Sequence, residues 1–318
     1  RLLPVADGSD FMGSLRNPAG WNHVVGLRPS QGRVPMLPSP EVYLAQLGTE
    51  GPMARNVRDL AALLDVQAGF DARAPMSLPR ERESFVPPEG AHPRGLRVGW
   101  LGDLGGHLAM EPGVLAVCEQ ALARLAAAGA HIEPLAARVL GPSPEALWQA
   151  WLVWRRALTA SRIAPLLLQP GAREKIKPEA LWECEQAQGL THAELQRASQ
   201  VRSRFSASLA ALFERVDVLA LPVAQVWPFP IEQRWPTHIA GREMDTYHRW
   251  MEVTLYATFG GLPAISLPAG FHDNGRWPMG LQLIGAPQGD RALLVAAAGC
   301  EAVSAALMAR RPPGTVPA

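Results

Sequence analysis

Residues 96–135 carry three pieces in a row: LRVGWL (96–101), PGVLAVCEQALARLAAAG (112–129) and AHIEPL (130–135). The first reads as a buried strand and the last as another strand. The middle piece reads as a helix, with Pro112 beside its start and Gly129 at its stop, the positions those two residues favour at helix ends. Strand, helix and strand in this order form a βαβ unit, and parallel strands joined that way need helices covering the sheet. Downstream, helical stretches at 144–168, which carries Trp148, Trp151 and Trp154, and at 192–215 run into DVLALP (217–222), which with GLPAISLPAG (261–270) and MGLQLIGA (279–286) reads as a further strand. The fold class that follows is α/β, with a central mixed and mostly parallel sheet covered by helices. No flexible linker isolates a separate half, so residues 1–318 are expected to form one domain.

Upstream of the βαβ unit the reading is less regular. From Gly51 the pattern turns helical, with Val57, Leu60, Ala61 and Leu64 on one face and Gly69 placed as a stop. Residues 71–94 are polar and Pro-rich and predict a surface crossing, while residues 1–35 are dense in Gly, Pro, Ser and Asn and predict a loop-rich segment. Loop segments of this kind often hold active sites. At the other end, ALLVAAAGCEAVSAALMA (292–309) is Ala-rich and carries Glu301, which predicts a packed C-terminal helix and no membrane span.

Composition narrows the function. With 48% apolar and 19% charged residues the chain can bury a large core. Thirty basic against 29 acidic residues give no field to hold a polyanion or a membrane surface, so neither nucleic acid nor membrane is expected as a partner. Three cysteines (Cys118, Cys184, Cys300) are too few and too scattered for a disulfide framework or a zinc site, which points to a reducing, cytoplasmic setting. The opening RLLPVADGSDFMGS starts on Arg1 and has neither a signal-peptide core nor a transit-peptide pattern, so it reads as the interior of a longer chain. Self-association into a homo-oligomer is left open.

Several chemistries lack their residues. The eight histidines offer no HxxxH or HExxH spacing for a metal. GDLGGH (102–107) follows a strand but matches neither the P-loop nor GxGxxG, and GxSxG does not occur. No metal or organic cofactor is implied. One segment does carry chemistry: Gly8-Ser9-Asp10-Phe11-Met12-Gly13-Ser14-Leu15-Arg16. A serine after a glycine in a short turn can expose its hydroxyl while neighbouring backbone N–H groups converge where an oxyanion would sit. Gly-Ser pairs are also common in plain turns, so these residues alone leave Ser14 between a turn and a nucleophile.

The longer stretch GSDFMGSLRNPAGWNHVVGLRPSQGRVP (8–35) resembles the signature segment of the amidase signature family of Ser-Ser-Lys hydrolases. GPMARNVRDLAALL (51–64), DVLALP (217–222), GGLPAISLPAGF (260–271) and MGLQLIGAPQGDRALL (279–294) resemble its later segments in the same order. The resemblance implies that Ser14 is the nucleophile and that the amides of Phe11, Met12, Gly13 and Ser14 form the oxyanion hole. It also implies that Asp10 and Arg16 brace the loop. Met12 departs from the family's usual Gly-Gly-Ser, and Asn22 and His23 depart from its usual Cys-Gly. His23 lies nine residues beyond Ser14, and an imidazole is the side chain suited to act as a base near neutral pH, but the family uses no histidine there, so a packing or hydrogen-bonding role is expected.

The family's base is a neutral lysine acting through a second serine, and both precede the signature; neither falls within these 318 residues. The only two lysines, Lys175 and Lys177, sit in a polar segment and predict solvated side chains. The activity implied is hydrolysis of a small-molecule carboxylic amide through an acyl-enzyme, with lysine and relay serine supplied from upstream. The alternatives are a catalytically inactive fragment or assembly module that keeps the fold, and a glutamine-dependent amidotransferase subunit. The ten tryptophans, among them Trp227, Trp235 and Trp250, are expected in the core before an acyl pocket.

Overall fold

The computed structural model describes residues 3–311. Contacts divide the chain into two compact units, residues 1–136 with 210–318, and residues 137–209. The larger unit is built on an eight-stranded sheet: β1 (Val5–Asp10), β2 (Val25–Arg28), β3 (Thr49–Ala54), β4 (Arg97–Trp100), β5 (His131–Pro134), β6 (Val218–Pro222), β9 (Ala264–Phe271) and β10 (Pro278–Gly285), with β7 (His238–Ile239) and β8 (Arg242–Glu243) forming a separate hairpin. The strand order is β1-β3-β2-β9-β10-β6-β4-β5.

The βαβ reading holds. β4 pairs in parallel with β5, Val98 opposite Ile132, and with β6, Val98 opposite Val218. Every pairing from β1 to β6 is antiparallel, so the sheet is mixed as expected but its parallel part is confined to β6-β4-β5. The cause lies in the connections. β9 and β10 are joined by the short His272–Trp277 turn, which allows only an antiparallel pair, whereas β4 and β5 are joined through a helix. The inner strands β2 and β6 are buried at every residue, while edge strand β5 is largely exposed, the pattern of a sheet covered on both faces at its centre.

Two sequence readings are revised. Residues 1–35 hold strands β1 and β2 and the helix α1 (Arg16–Trp21), and residues 49–54 are strand β3. β1 reads VADGSD, with little intrinsic strand preference; it is a strand because Val5 to Asp10 pair in register with Ala54 to Thr49. The helix predicted from Gly51 begins only at Val57, as α2 (Val57–Gln67), where the Asn56 side chain accepts from the Asp59 N–H at 2.7 Å. Its apolar face is the expected one: Val57, Leu60, Ala61 and Leu64 are buried.

α3 (Val114–Ala127) buries Val117, Cys118, Ala121 and Leu125 over β9 and β10. Alternation along β10 then sorts its residues between two faces. Met279, Leu281 and Leu283 join the apolar cluster that includes α2, α3 and Leu293, Leu294 and Ala297 of the C-terminal helix. Gly280 and Gln282 point the other way, toward α1. A β-carbon on Gly280 would lie 3.0 Å from the Gly20 Cα, so the two glycines let α1 rest directly on the sheet. That contact sets the height of the turn just before α1.

In the smaller unit, α4 (Pro144–Ile163) is capped by Ser143, whose side chain accepts from the Ala146 N–H at 3.2 Å. α5 (Ala172–Lys175) and α6 (Pro178–Gln186) follow, and α7 (His192–Leu212) opens with Thr191 and Glu194 bonded reciprocally, a capping box. Arg155 of α4 and the buried Glu183 of α6 form an ion pair, and Trp148 and Trp151 stack at 5.3 Å between centroids. These tryptophans are core residues, as expected. Lys175 and Lys177 are exposed. Back in the larger unit, α8 (Leu255–Gly260) precedes β9, and α9 (Asp290–Val303) with α10 (Ala305–Met308) ends the described chain.

Candidate active site

β1 ends at Asp10 and α1 begins at Arg16, so residues 11–15 form a five-residue turn at the edge of the sheet. Ser14 is exposed there, flanked by buried Gly13 and Leu15. Its hydroxyl has no hydrogen-bond partner among the described residues. The same is true of the Met12 and Ser14 backbone N–H groups. Phe11 is half-buried, and its ring lies against Gly48, 3.4 Å from where a β-carbon would stand.

Asp10 holds this turn from below. It is wholly buried, and its carboxylate accepts from the Gly13 N–H at 2.6 Å, the Leu15 N–H at 3.3 Å, and the Arg16 guanidinium at 2.9 and 3.1 Å. Arg28 adds a second buried cation at 3.5 Å and donates to the Asp10 carbonyl at 2.6 Å. Burial alone would raise the Asp10 carboxyl; the charge and hydrogen bonds of Arg16, with Arg28 and the Gly13 N–H, outweigh it and hold the group at about 2. The resemblance placed Gly13 among the oxyanion donors. Its N–H is instead committed to Asp10, which leaves Met12 and Ser14 as the open amides of the turn.

Arg16 is itself tied to distant chain. It donates to the Thr254 carbonyl and to the Thr258 hydroxyl, each at 2.9 Å, and to the Gln282 side-chain oxygen on the α1 face of β10. Asn17 donates to the Val223 carbonyl at 2.6 Å. The Thr254 hydroxyl lies 3.0 Å from the Met12 carbonyl and 2.8 Å from the Met251 carbonyl. The peptide between residues 12 and 13 is therefore gripped at both ends, its oxygen by Thr254 and its N–H by Asp10. Gly13 stands at φ +106°, and a β-carbon there would fall 2.2 Å from the Asn17 Oδ1 and 2.8 Å from the Thr254 hydroxyl. Only glycine fits.

Thr254, Thr258, Gln282, Asn17 and Arg28 were not marked by the sequence as part of this turn. Local pattern could not mark them, since the first three reach it across 238 to 266 residues of chain. His23 is no base for Ser14: its Nε2 donates to the Leu307 carbonyl at 2.9 Å and its ring packs on Phe271. GDLGGH is a tight loop with four left-handed residues, and His107 at its end meets Glu252 at 2.7 Å. Among the described residues no group of three or more His, Cys, Asp or Glu could hold a metal, and no helix is long and apolar enough to cross a membrane.

The family model described as Amidase matches residues 1–294. The chain belongs to the amidase signature family. Among its relatives in that family, an acylamidase of Rhodococcus erythropolis is 33% identical over 308 residues, covering 95% of this chain and 62% of that protein. The A subunit of the glutamyl-tRNA(Gln) amidotransferase of Thermus thermophilus is 36% identical over 339 residues, covering 98% of this chain and 67% of that protein. A bacterial aryl acylamidase of the amidase signature family superposes with a TM-score of 0.86 at 27% identity, over 98% of this chain and 65% of that one. The chain thus spans 62%, 67% and 65% of the length of these three proteins.

Proposed function

We propose that this chain carries the nucleophile half of an amidase and that the whole protein hydrolyses a carboxylic amide through an acyl-Ser14 intermediate. The observation that carries the reading is the exposed, unpartnered Ser14 hydroxyl next to the open Met12 and Ser14 amides, on a turn immobilised by Asp10 and Arg16. The Ser14 oxygen attacks the amide carbonyl carbon, and the Met12 and Ser14 N–H groups receive the negative oxygen. The serine proton passes through a relay serine to a neutral lysine and from there to the leaving amine; water then releases the acid and regenerates Ser14. Both exposed lysines of this chain are unsuited to that task, because a lysine is neutral near pH 7 only when burial or a neighbouring charge lowers its pKa. The reading therefore assigns lysine and relay serine to chain preceding residue 1.

The test uses the full-length protein. A fluorophosphonate probe should label Ser14, and Ser14→Ala should lower amide turnover by roughly 10³-fold or more while leaving the thermal midpoint close to that of the parent. Turnover retained in Ser14→Ala, or a label mapped to another serine, overturns the assignment. The 36% identity to the A subunit of an amidotransferase supports a second reading, in which the amide is glutamine and ammonia passes to a partner. Turnover of simple amides without partner subunits separates the first reading from the second.

A further inference from the structure

Beyond the far end of α1 from Ser14, a cleft of about 340 Å³ opens beside Trp21. Ser14 does not line it, and the helix between them accounts for about 9 Å of rise. Trp21 and Phe271 supply apolar wall, and Arg55, Arg276, Arg310 and Arg311 converge on the same space. Among the described residues no carboxylate lines the cleft and none of these arginines has an acidic partner. Arg16, Arg33, Arg97 and Arg291 of the same unit each take a carboxylate.

One of the four is held in place, and a second carries an unmatched buried donor. The Arg310 guanidinium lies 3.7 Å from the Phe271 ring centre and donates to the Gly275 carbonyl. The Arg55 Nε is buried and has no hydrogen-bond partner among the described residues, a group that costs stability while it stays unmatched. The wall between them is also fixed: His23 sits at φ +54°, a left-handed backbone that costs a non-glycine residue about 1 kcal/mol, and this posture presses its ring on Phe271 at 4.8 Å. Cations gathered around a cavity repel one another until an anion enters, and guanidinium forks match the two oxygens of a carboxylate. The aromatic wall adds recognition of a flat apolar body, and the volume is that of a small-molecule site.

We propose that this cleft binds an aromatic carboxylate, its ring against Trp21 and its carboxylate on the arginines. The site is separate from the Ser14 turn and does not depend on the amidase reading. The test is a calorimetric titration of the full-length protein with 2-naphthoate, repeated with the neutral isostere 2-naphthalenemethanol and with inorganic phosphate. Expected are saturable naphthoate binding, at least 10-fold weaker binding of the alcohol, and at least 10-fold weakening both in Arg55→Gln and in the exposed double variant Arg276→Gln, Arg311→Gln. Arg173→Gln, in an exposed pair with Glu185, should change nothing. Binding should survive covalent capping of Ser14. The proposal fails if the full-length protein shows no saturable binding, if the alcohol binds as well as the acid, or if neither arginine variant weakens the complex. Phosphate competing as well as naphthoate would overturn it in favour of a simple phosphate site, and loss of binding on capping Ser14 would overturn it in favour of the acyl pocket.

Discussion

Asp10 and Asp71 have the same lowered pKa, about 2, for different reasons. Asp71 lies at the surface and is lowered mainly by hydrogen bonds from Arg73, its neighbour two residues on, whose side chain is 77% exposed. Asp10 has no solvent at all; burial works against its charge, and two buried arginines with two backbone N–H groups must overcome that. A surface pair is screened and replaceable by water, whereas a buried carboxylate among buried guanidiniums is coupled to everything that shares it. The acidity is therefore no guide to importance here. What separates the two is how much of the fold depends on the charge staying where it is.

That contrast can be broken experimentally, most forcefully at Asp10 itself. Asp10→Ala leaves Arg16 and Arg28 buried without their shared anion and should cost about 3–5 kcal/mol, read from the urea midpoint of the full-length protein. A smaller effect comes from acid. Because the folded Asp10 carboxyl sits near 2, below its ordinary 3.8, it contributes stability above pH 4 that is lost as pH falls through 2, on the order of 2 kcal/mol. Asp10→Asn should flatten that part of the stability–pH curve, and a slope equal to the parent's would remove Asp10 from the account. Thr254→Val, which drops the grip on the Met12 carbonyl, should cost about 1 kcal/mol of stability. On the proposed reading it should also lower kcat about tenfold with KM nearly unchanged, since it disturbs donors used only as charge develops. Smallest of all, Asp71→Ala should leave both the urea midpoint and turnover at the parent values; a measurable loss there would erase the distinction between the two aspartates.

Much of the frame could be read in the residues, and the reason is locality. β4, α3 and β5 announce themselves because an apolar run, a helical repeat and a stop residue all fall within 40 residues. β1 could not be read that way: Val-Ala-Asp-Gly-Ser-Asp becomes a strand only by pairing with β3, Val5 with Ala54 and Asp10 with Thr49. The site divides along the same line. Ser14 and Asp10 were visible because the turn is contiguous and resembles a known segment. Thr254, Thr258 and Gln282 were not, because a threonine in a helical stretch and a glutamine in a strand look ordinary until the sheet brings them to Arg16. Nor could the sequence foresee that the Gly13 amide would be spent on Asp10, a matter of which way one peptide plane faces.

The grip on that peptide limits how the turn can diversify. Residue 13 has no room for a side chain and a backbone angle that refuses one, so drift at this position is closed. Residue 12 is under no such restraint: Met12 is absent from the left-handed residues, and its side chain is tucked into the core at 3% exposure. The side chain at residue 12 can therefore be exchanged, within the limits of the core that encloses it, without turning the strut at residue 13.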